Sequence, residues 1–480
     1  MVMLSYSRAI SDNARRQPDH IAITCADQSI TWAELDRRTN RLARAYAAMG
    51  VTKDSFVTVG LPNSIGFFEA AVAAWKLGAT PQPISYRLPD RERQAIVELA
   101  DSSLVVGADP AAHPTRTVIP IGLEADPSLD DSELPDETTT KWKAPTSGGS
   151  TGRPKLIVAA DPGVINTEQP GMGQRRDGVA LLPGPLYHNA PFSMSATALM
   201  QGNHVVILPK FDAEATLAAV HEHRPDWILL VPTMMQRITR LPDEVRDRYD
   251  VSSLQTVWHM ASPCPPWLKE TWINWLGGEK IFELYAGTEA QSVTVVRGDE
   301  WMTHRGTVGR PISGEMRIQD PETFEVLPAG EIGEVFMRSA GGRKTYEYVG
   351  AEARFSPDGW ESLGDMGSMD ADGYLYLADR RSDMILSGGA NIYPAEIEAA
   401  IDEHPRVVSC AAIGLPDDDL GNRIHAVIQV SEPITADDMR TFLAERLVRY
   451  KIPRTFEFVD HVVRDDAGKV RRSALRDERS

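Results

Sequence analysis

At 480 residues, with a formal net charge of −18, 42% hydrophobic and 25% charged residues, the chain has ample material for a core and exceeds the usual single-domain size. The acidic balance argues against non-specific nucleic-acid binding, so anionic ligands must be met by local cations. No apolar run reaches the roughly 18 residues of a membrane span, and three scattered cysteines, Cys25, Cys264 and Cys410, argue against a disulfide framework or zinc site. The first sixteen residues lack a basic-then-apolar leader and the last four carry no obvious address, which with the cysteines predicts a cytoplasmic protein.

In chain order, Thr31-Trp32-Ala33-Glu34 is a capping box that opens a helix with Leu35, Leu42, Ala43 and Tyr46 on its apolar stripe and Gly50 as its stop. A strand over Val57–Leu61 and a helix over Phe67–Leu77, ended by Gly78, follow. Residues 109–141, rich in Pro, Asp and Thr, read as a loop-rich connector. Next comes Thr146-Ser147-Gly148-Gly149-Ser150-Thr151-Gly152-Arg153-Pro154-Lys155, with three glycines and four hydroxyl residues in ten positions. Glycines let backbone N–H groups approach phosphate oxygens, and hydroxyls add donors. The Walker pattern needs Gly-Lys-Ser/Thr running into a helix; here Leu156–Ala160 reads as a strand instead. The phosphate would therefore lie over a loop between strands, without a helix dipole. Taken alone, such a cluster reads by default as a plain surface turn.

Helix and strand keep alternating through Trp227–Val231, which predicts layered α/β structure with buried sheets. From about Val326 the texture shifts to short strands and turns, such as Gly333–Met337 and Gly373–Leu377. The last ~100 residues read as a small α+β unit. Pro394 opens a helix carrying Ile397 and Ile401, strands cover Val407–Ile413 and Ile424–Val430, and Met439, Phe442, Leu443 and Leu447 stripe another helix. The expected organisation is a large domain over 1–380, a small lid over 383–480, and a hinge near 379–383.

Six segments in this order resemble the signatures of the acyl-adenylate-forming superfamily, which includes acyl-CoA synthetases, luciferases and peptide-synthetase adenylation domains. They are the Thr146–Lys155 loop, Pro185-Leu186-Tyr187-His188, Tyr285-Ala286-Gly287-Thr288-Glu289, Gly364-Asp365, Asp379-Arg380 through Gly389, and Gly468-Lys469. The resemblance runs from Thr31 to Arg472 and is nearest to an acid–CoA ligase. It implies an α/β fold with a large multi-layered N-terminal domain, sheets flanked by helices, and a small mobile α+β C-terminal domain. It also implies ATP and Mg²⁺ as reactants, formation of an acyl-AMP, and transfer of the acyl group to coenzyme A.

The roles implied by the resemblance are specific. Lys469 bridges the acyl carboxylate and α-phosphate, although alone it would read as a solvated charge in a polar tail. Thr288 and Glu289 serve the phosphates, with Glu289 on Mg²⁺; a hydroxyl beside a carboxylate also fits a bare helix N-cap. Asp365 accepts from the ribose hydroxyls and Arg380 adds a donor, where a surface ion pair is the alternative. Tyr285 faces adenine, and Ser262, in Ala261-Ser262-Pro263, falls where the family usually has a glycine-rich turn against the nucleotide. Thr146, Ser147, Gly148, Gly149, Ser150, Thr151, Gly152 and Lys155 cradle phosphates. His188 borders the acyl pocket, although a lone histidine is more often structural. Gly388 and Gly389 guide the pantetheine arm, while Lys451, Arg454 and Arg472 are cations for CoA phosphates.

Trp258, Met260 and Met234, with the residues around His188, suggest a hydrophobic acid of aromatic, fatty or steroidal type, and the loop form resembles that of bile-acid and steroid-acid ligases. Two positions depart from the pattern. Ala286 replaces a common glycine, and Ser382 stands where the hinge is usually Asp or Lys, with Asp383 just beyond. The rival expectation is an enzyme loading a carrier-protein thiol; no fused carrier domain follows Lys469. A phosphotransferase is opposed by the missing Gly-Lys-Ser/Thr, and a non-catalytic nucleotide binder by the presence of Lys469, Glu289 and Asp365.

Overall fold

The computed structural model describes residues 3–122, 126–148, 154–169, 171–417, 419–465 and 468–479. Its centre is a nine-stranded sheet in which six strands run parallel, in the order Ile281–Tyr285, Thr256–His259, Trp227–Leu230, Val179–Leu182, His204–Ile207 and Ile21–Cys25. These strands are almost wholly apolar because helices cover both faces. Trp227, Ala180, Leu182 and Val205 are fully buried on one side, in the same core as the helices Trp32–Ala48 and Ile65–Lys76. Leu181, Ile228, Leu230 and Val257 point to the other, beneath Leu217, Met235 and Trp272. Antiparallel strands close both edges, Val293–Arg297 with Arg310–Ser313 at one and Gln28–Thr31 at the other. A second, four-stranded parallel sheet joins Thr80–Pro83, Phe56–Val59, Leu104–Val106 and Thr117–Ile119.

The expected capping box is present: Thr31 Oγ1 accepts from Glu34 N, and the Glu34 carboxylate accepts from Thr31 N. That helix runs Trp32–Ala48, and Gly50 takes the left-handed φ of +96° that ends it. The helix expected over 67–77 begins two residues earlier, at Ile65, because Ser64 caps it by accepting from Phe67 N. Antiparallel texture also begins before Val326, with Glu315–Gln319 paired to Gly333–Arg338. Glu361–Met369 and Leu375–Arg380 extend this sheet.

The C-terminal unit is α+β, as its sequence predicts. The strands Val407–Asp417 and Gly421–Val430 pair antiparallel and Thr455–Val459 adds in parallel. Helices Pro394–Asp402 and Ala436–Ala444 bury Ile397, Ile401, Met439 and Leu443 against Cys410, Ala426 and Ile428. This core draws on its own side chains alone, which makes it a second, smaller domain. Among the described residues no helix is long and apolar enough to cross a membrane.

Candidate active site

Three of the parallel strands end at segments the sequence singles out, and a fourth ends beside them. Val179–Leu182 leads to Pro183–His188, Trp227–Leu230 to Pro232 and Thr233, Thr256–His259 to Met260–Ser262, and Ile281–Tyr285 to Gly287–Glu289. Open α/β sheets bind ligands outside the carboxyl ends of their strands, so the topology itself gathers these residues. Ala261 holds a left-handed φ of +77° at the position expected to be glycine, which costs about 1–2 kcal/mol and marks a backbone held in place by its surroundings.

Asp365, Arg380 and Tyr285 form one cluster. Asp365 and Arg380 face each other across paired strands, and Arg380 Nε lies 3.3 Å from Asp365 Oδ1. The Tyr285 hydroxyl donates to Asp365 Oδ2 at 2.7 Å. Burial, then the Asp365 charge, pushes the Tyr285 phenol well above its ordinary range, so it remains a donor. Arg380 is raised chiefly by Asp365. The isolated surface pair allowed by sequence is thus replaced by a carboxylate fastened on two sides.

Glu289 is 5% exposed and forms the second cluster. Its Oε1 accepts from the Tyr348 hydroxyl and lies 3.7 Å from Lys155 Nζ, which sits 3.9 Å above the Tyr348 ring. Thr345 Oγ1 holds the Glu289 carbonyl at 2.7 Å. Burial lowers the Lys155 pKa while Glu289 opposes the fall. Glu361 nearby is raised by burial, with the Glu289 charge adding to the effect. Among the described residues no three His, Cys, Asp or Glu side chains group as a metal cage. A single buried carboxylate fits Mg²⁺, which takes one or two protein ligands and completes its shell with phosphate and water oxygens. Gly287 is the residue that lets Glu289 lie close, since a Cβ there would sit 2.8 Å from Glu289 Oε2 and 2.2 Å from Leu363 Cδ1.

Lys469 comes from the small domain. Gly468 takes φ +75°, and a Cβ at that position would lie 3.2 Å from Ser262 Oγ and Thr233 Cγ2. The glycine is therefore pressed against the ends of two large-domain strands. Asp465 fastens the turn, accepting from Lys469 N at 2.9 Å while its own N–H donates to the Lys469 carbonyl at 2.9 Å. The Lys469 side chain keeps an open, solvent-facing edge, yet its pKa is lowered by surrounding protein and by Arg380, with Asp465 and Glu289 opposing. The ammonium thus lies within electrostatic reach of both clusters.

Thr146, at the start of the strand Thr146–Gly148, accepts from Gln82 Nε2 at 2.8 Å. That strand pairs antiparallel with Pro154–Ala159. Gly149, Ser150, Thr151 and Gly152, expected to cradle phosphates, lie outside the described residues. His188 caps the helix Asn189–Met200, its ring 4.5 Å from that of Tyr187. Trp258, Met260 and Met234 are all buried, and Trp258 donates to the Met172 carbonyl and stacks on Phe282, so it packs as core.

Gly388 and Gly389 take φ of +57° and +80° on the small domain, Gly388 bonded through its N–H to the Leu420 carbonyl. One expectation is corrected. Arg472 is not available to CoA phosphates, because both ends of its guanidinium are taken by Glu398 and Asp383 inside the small domain. Lys451 is paired with Glu396, and Arg454 lies 3.8 Å from Asp417. Sequence reasoning missed Tyr348 and Thr233. Tyr348 reaches Glu289 only because Tyr346–Val349 pairs with the strand after the phosphate loop, and no local pattern announces that pairing. Thr233 follows Pro232 at a strand-to-helix junction, a signal that was legible.

This chain belongs to the AMP-binding enzyme family: residues 10–347 match the family's main domain and residues 396–469 its C-terminal domain. It is 31% identical to a feruloyl-CoA synthase of Amycolatopsis sp over 96% of both chains. It is 27% identical to the fatty acid–[acyl-carrier-protein] ligase ScoC of Streptomyces coeruleorubidus over 97% of this chain and 95% of that one. Among solved structures it resembles the o-succinylbenzoate CoA synthetase MenE of Bacillus subtilis in complex with its acyl-adenylate intermediate OSB-AMP. That match has a TM-score of 0.84 and 25% identity, and covers 100% of this chain and 99% of the other. The same synthetase with ATP and magnesium ion superposes with a TM-score of 0.81.

Proposed function

We propose that this protein is an ATP-dependent, AMP-forming acid–CoA ligase. A carboxylic acid and MgATP give acyl-AMP and pyrophosphate, and CoA then takes the acyl group and releases AMP. The acid's carboxylate is already ionised, so the first step needs no protein base. Its barrier is the charge gathering on the phosphates, and catalysis is positioning and electrostatic stabilisation.

Each cluster has a part. Asp365, held by Arg380 and Tyr285, presents carboxylate oxygen to the ribose hydroxyls, and Tyr285 flanks the base. Glu289, steadied by Tyr348 and Lys155, holds Mg²⁺, which neutralises phosphate charge when bound. Thr288, Lys155 and the Thr146–Gly152 segment receive phosphate oxygens, Ser262 lies beside the nucleotide, and His188 borders the acyl group. Lys469 brings its ammonium between carboxylate and α-phosphate. What supports this most is the seating of Gly468 on Thr233 and Ser262, which docks the small domain with Lys469 toward Arg380 and Glu289. The second half-reaction then requires the small domain, 383–480, to turn on the large one, 1–380, at residues 379–383. That turn withdraws Lys469 and brings Gly388 and Gly389 to the thiol's path.

The acid is read as a small hydrophobic carboxylic acid, and the site of action as the cytoplasm. The test is product analysis across a panel of aromatic, fatty and steroidal acids with MgATP, with and without CoA. AMP, pyrophosphate and acyl-CoA are expected. ADP would mean phosphoryl transfer. AMP without a thioester, until a carrier protein's thiol is supplied, would favour carrier loading, the activity printed for the Streptomyces relative.

A further inference from the structure

The helix Pro394–Asp402 is bonded to the strand before the expected hinge, to the large domain and to both sides of the turn that carries Lys469. At its start, Ala395 N donates to Asp379 Oδ2 at 2.7 Å, on the large-domain side of the expected hinge. Near its end, the carbonyl of Asp402 accepts from Arg240 Nη2 of the large domain at 3.3 Å. Between them Glu398, 4% exposed, holds two arginines at once: Arg464 Nη2 at 2.6 Å on Oε2, and Arg472 Nη2 at 2.7 Å on Oε1. Burial would raise this carboxyl, but Arg464, Arg472 and the Ala412 N–H outweigh it and hold it below its ordinary value.

Those two arginines bracket Lys469 in the chain, and each has a second task. Arg464 Nη1 donates to the Gly468 carbonyl at 3.0 Å, the peptide group that leads into Lys469. Arg472 Nη1 donates to Asp383 Oδ2 at 2.9 Å, next to Ser382. A cluster serving only the small domain's stability could use any internal pair. This one fixes both sides of one turn and ties it to the linker.

We infer that Glu398 is the positioning residue for Lys469: through Arg464 it sets the Gly468–Lys469 peptide, and through Arg472 and Asp383 it locks that turn to the hinge segment. Glu398 touches no substrate, and its effect on adenylate formation passes through Lys469. The inference rests on the reading of Lys469 as the group that serves adenylate formation.

The experiment compares both half-reactions in Glu398→Gln, Arg464→Lys, Asp383→Asn and Lys469→Ala. Pyrophosphate release from acid and MgATP reads the first; thioester formation from supplied acyl-adenylate and CoA reads the second. Arg464→Lys keeps a positive charge opposite Glu398, but one ammonium cannot span both Glu398 and the Gly468 carbonyl. Misplacing a catalytic group by an ångström costs about 10²-fold. Glu398→Gln and Arg464→Lys should therefore lower kcat of the first half-reaction by about 10- to 100-fold, leaving both KM values and the second half-reaction within about two-fold. Asp383→Asn, which loosens the tie to the hinge segment, should give a smaller loss in the first half-reaction. Equal losses in both halves, or an unchanged first half in folded Glu398→Gln, overturns the inference. If Glu398→Gln fails to fold, Arg464→Lys decides by the same split. A Lys469→Ala enzyme that keeps its first half-reaction instead refutes the underlying role of Lys469.

Discussion

The role proposed for Lys469 makes the two half-reactions place different demands on one ammonium group. Adenylate formation gathers negative charge on the α-phosphate, and a preorganised donor there is worth about 10²–10³ in rate. Lys469→Ala should lose roughly that factor in pyrophosphate release while thioester formation from supplied adenylate persists; comparable loss in both halves would make the lysine structural. Asp365 is tested through ATP instead. Asp365→Ala strips the acceptor expected for two ribose hydroxyls and leaves Arg380 and Tyr285 without their shared carboxylate. A hydrogen bond to a charged group is worth about 1.5–3 kcal/mol, so ATP affinity should fall by about one to two orders of magnitude with the acid's nearly unchanged. Calorimetric titration of each ligand separates the outcomes. Sequence named Asp365, Arg380, Glu289 and Lys469 because each stands in a short local pattern. It could not name Tyr348, which meets Glu289 only through the pairing of two strands far apart in the chain.

At the scale of elements, Lys143 shows how a loop and a helix can trap a charge. Its ammonium donates to Asn189 Oδ1 and to Ser193 Oγ at 2.7 Å, one turn apart on the helix Asn189–Met200, and lies 4.4 Å from the Trp142 ring. Burial drives its pKa down to about 7, only partly resisted by Asp161 and Glu289. In the unfolded chain the lysine keeps its ordinary pKa near 10.4, so between about pH 7 and pH 10 the unfolded state binds more protons and stability rises with pH. Below pH 7 both states are charged and the full cost of burial remains. Lys143→Met, whose side chain needs no counter-charge, should therefore be more stable than the wild type at pH 7. That advantage should shrink as pH approaches 10. Denaturant midpoints at pH 7, 8.5 and 10 give the difference; an advantage independent of pH would show that the ammonium does not titrate there. Helix starts were readable where a cap is local, as at Thr31. The fate of Lys143 was not, because its partners lie some 46 to 50 residues away.

For the whole molecule the proposed mechanism requires the small domain to turn on the large one. In the expected linker, Arg381 N donates to the Gly364 carbonyl at 2.8 Å and its guanidinium to Glu322 and Glu334, while Asp383 N and Met384 N donate to the Arg380 carbonyl at 3.0 and 3.1 Å. Ser382 is exposed. Proline at this position fixes one torsion and restricts the residue before it. Ser382→Pro should let acyl-adenylate form and accumulate while CoA consumption stalls, the reverse of Lys469→Ala. Normal steady-state thioester synthesis in this variant would move the hinge elsewhere.

The sequence by itself determined the family, the order of the clusters and the α/β-then-α+β texture. Glycine, capping and apolar-period signals act over a few residues, and six collinear motifs leave little to chance. Only the tertiary structure decided which charges are spent. Arg472 read as a free cation for CoA, but folding places it against Glu398 and Asp383. Trp258 and Met234 read as pocket wall and are packed as core. Whether a charged or large side chain faces a ligand or a neighbour depends on contacts between distant segments. A buried charge must find its partner there, and local pattern carries no record of which partner it finds.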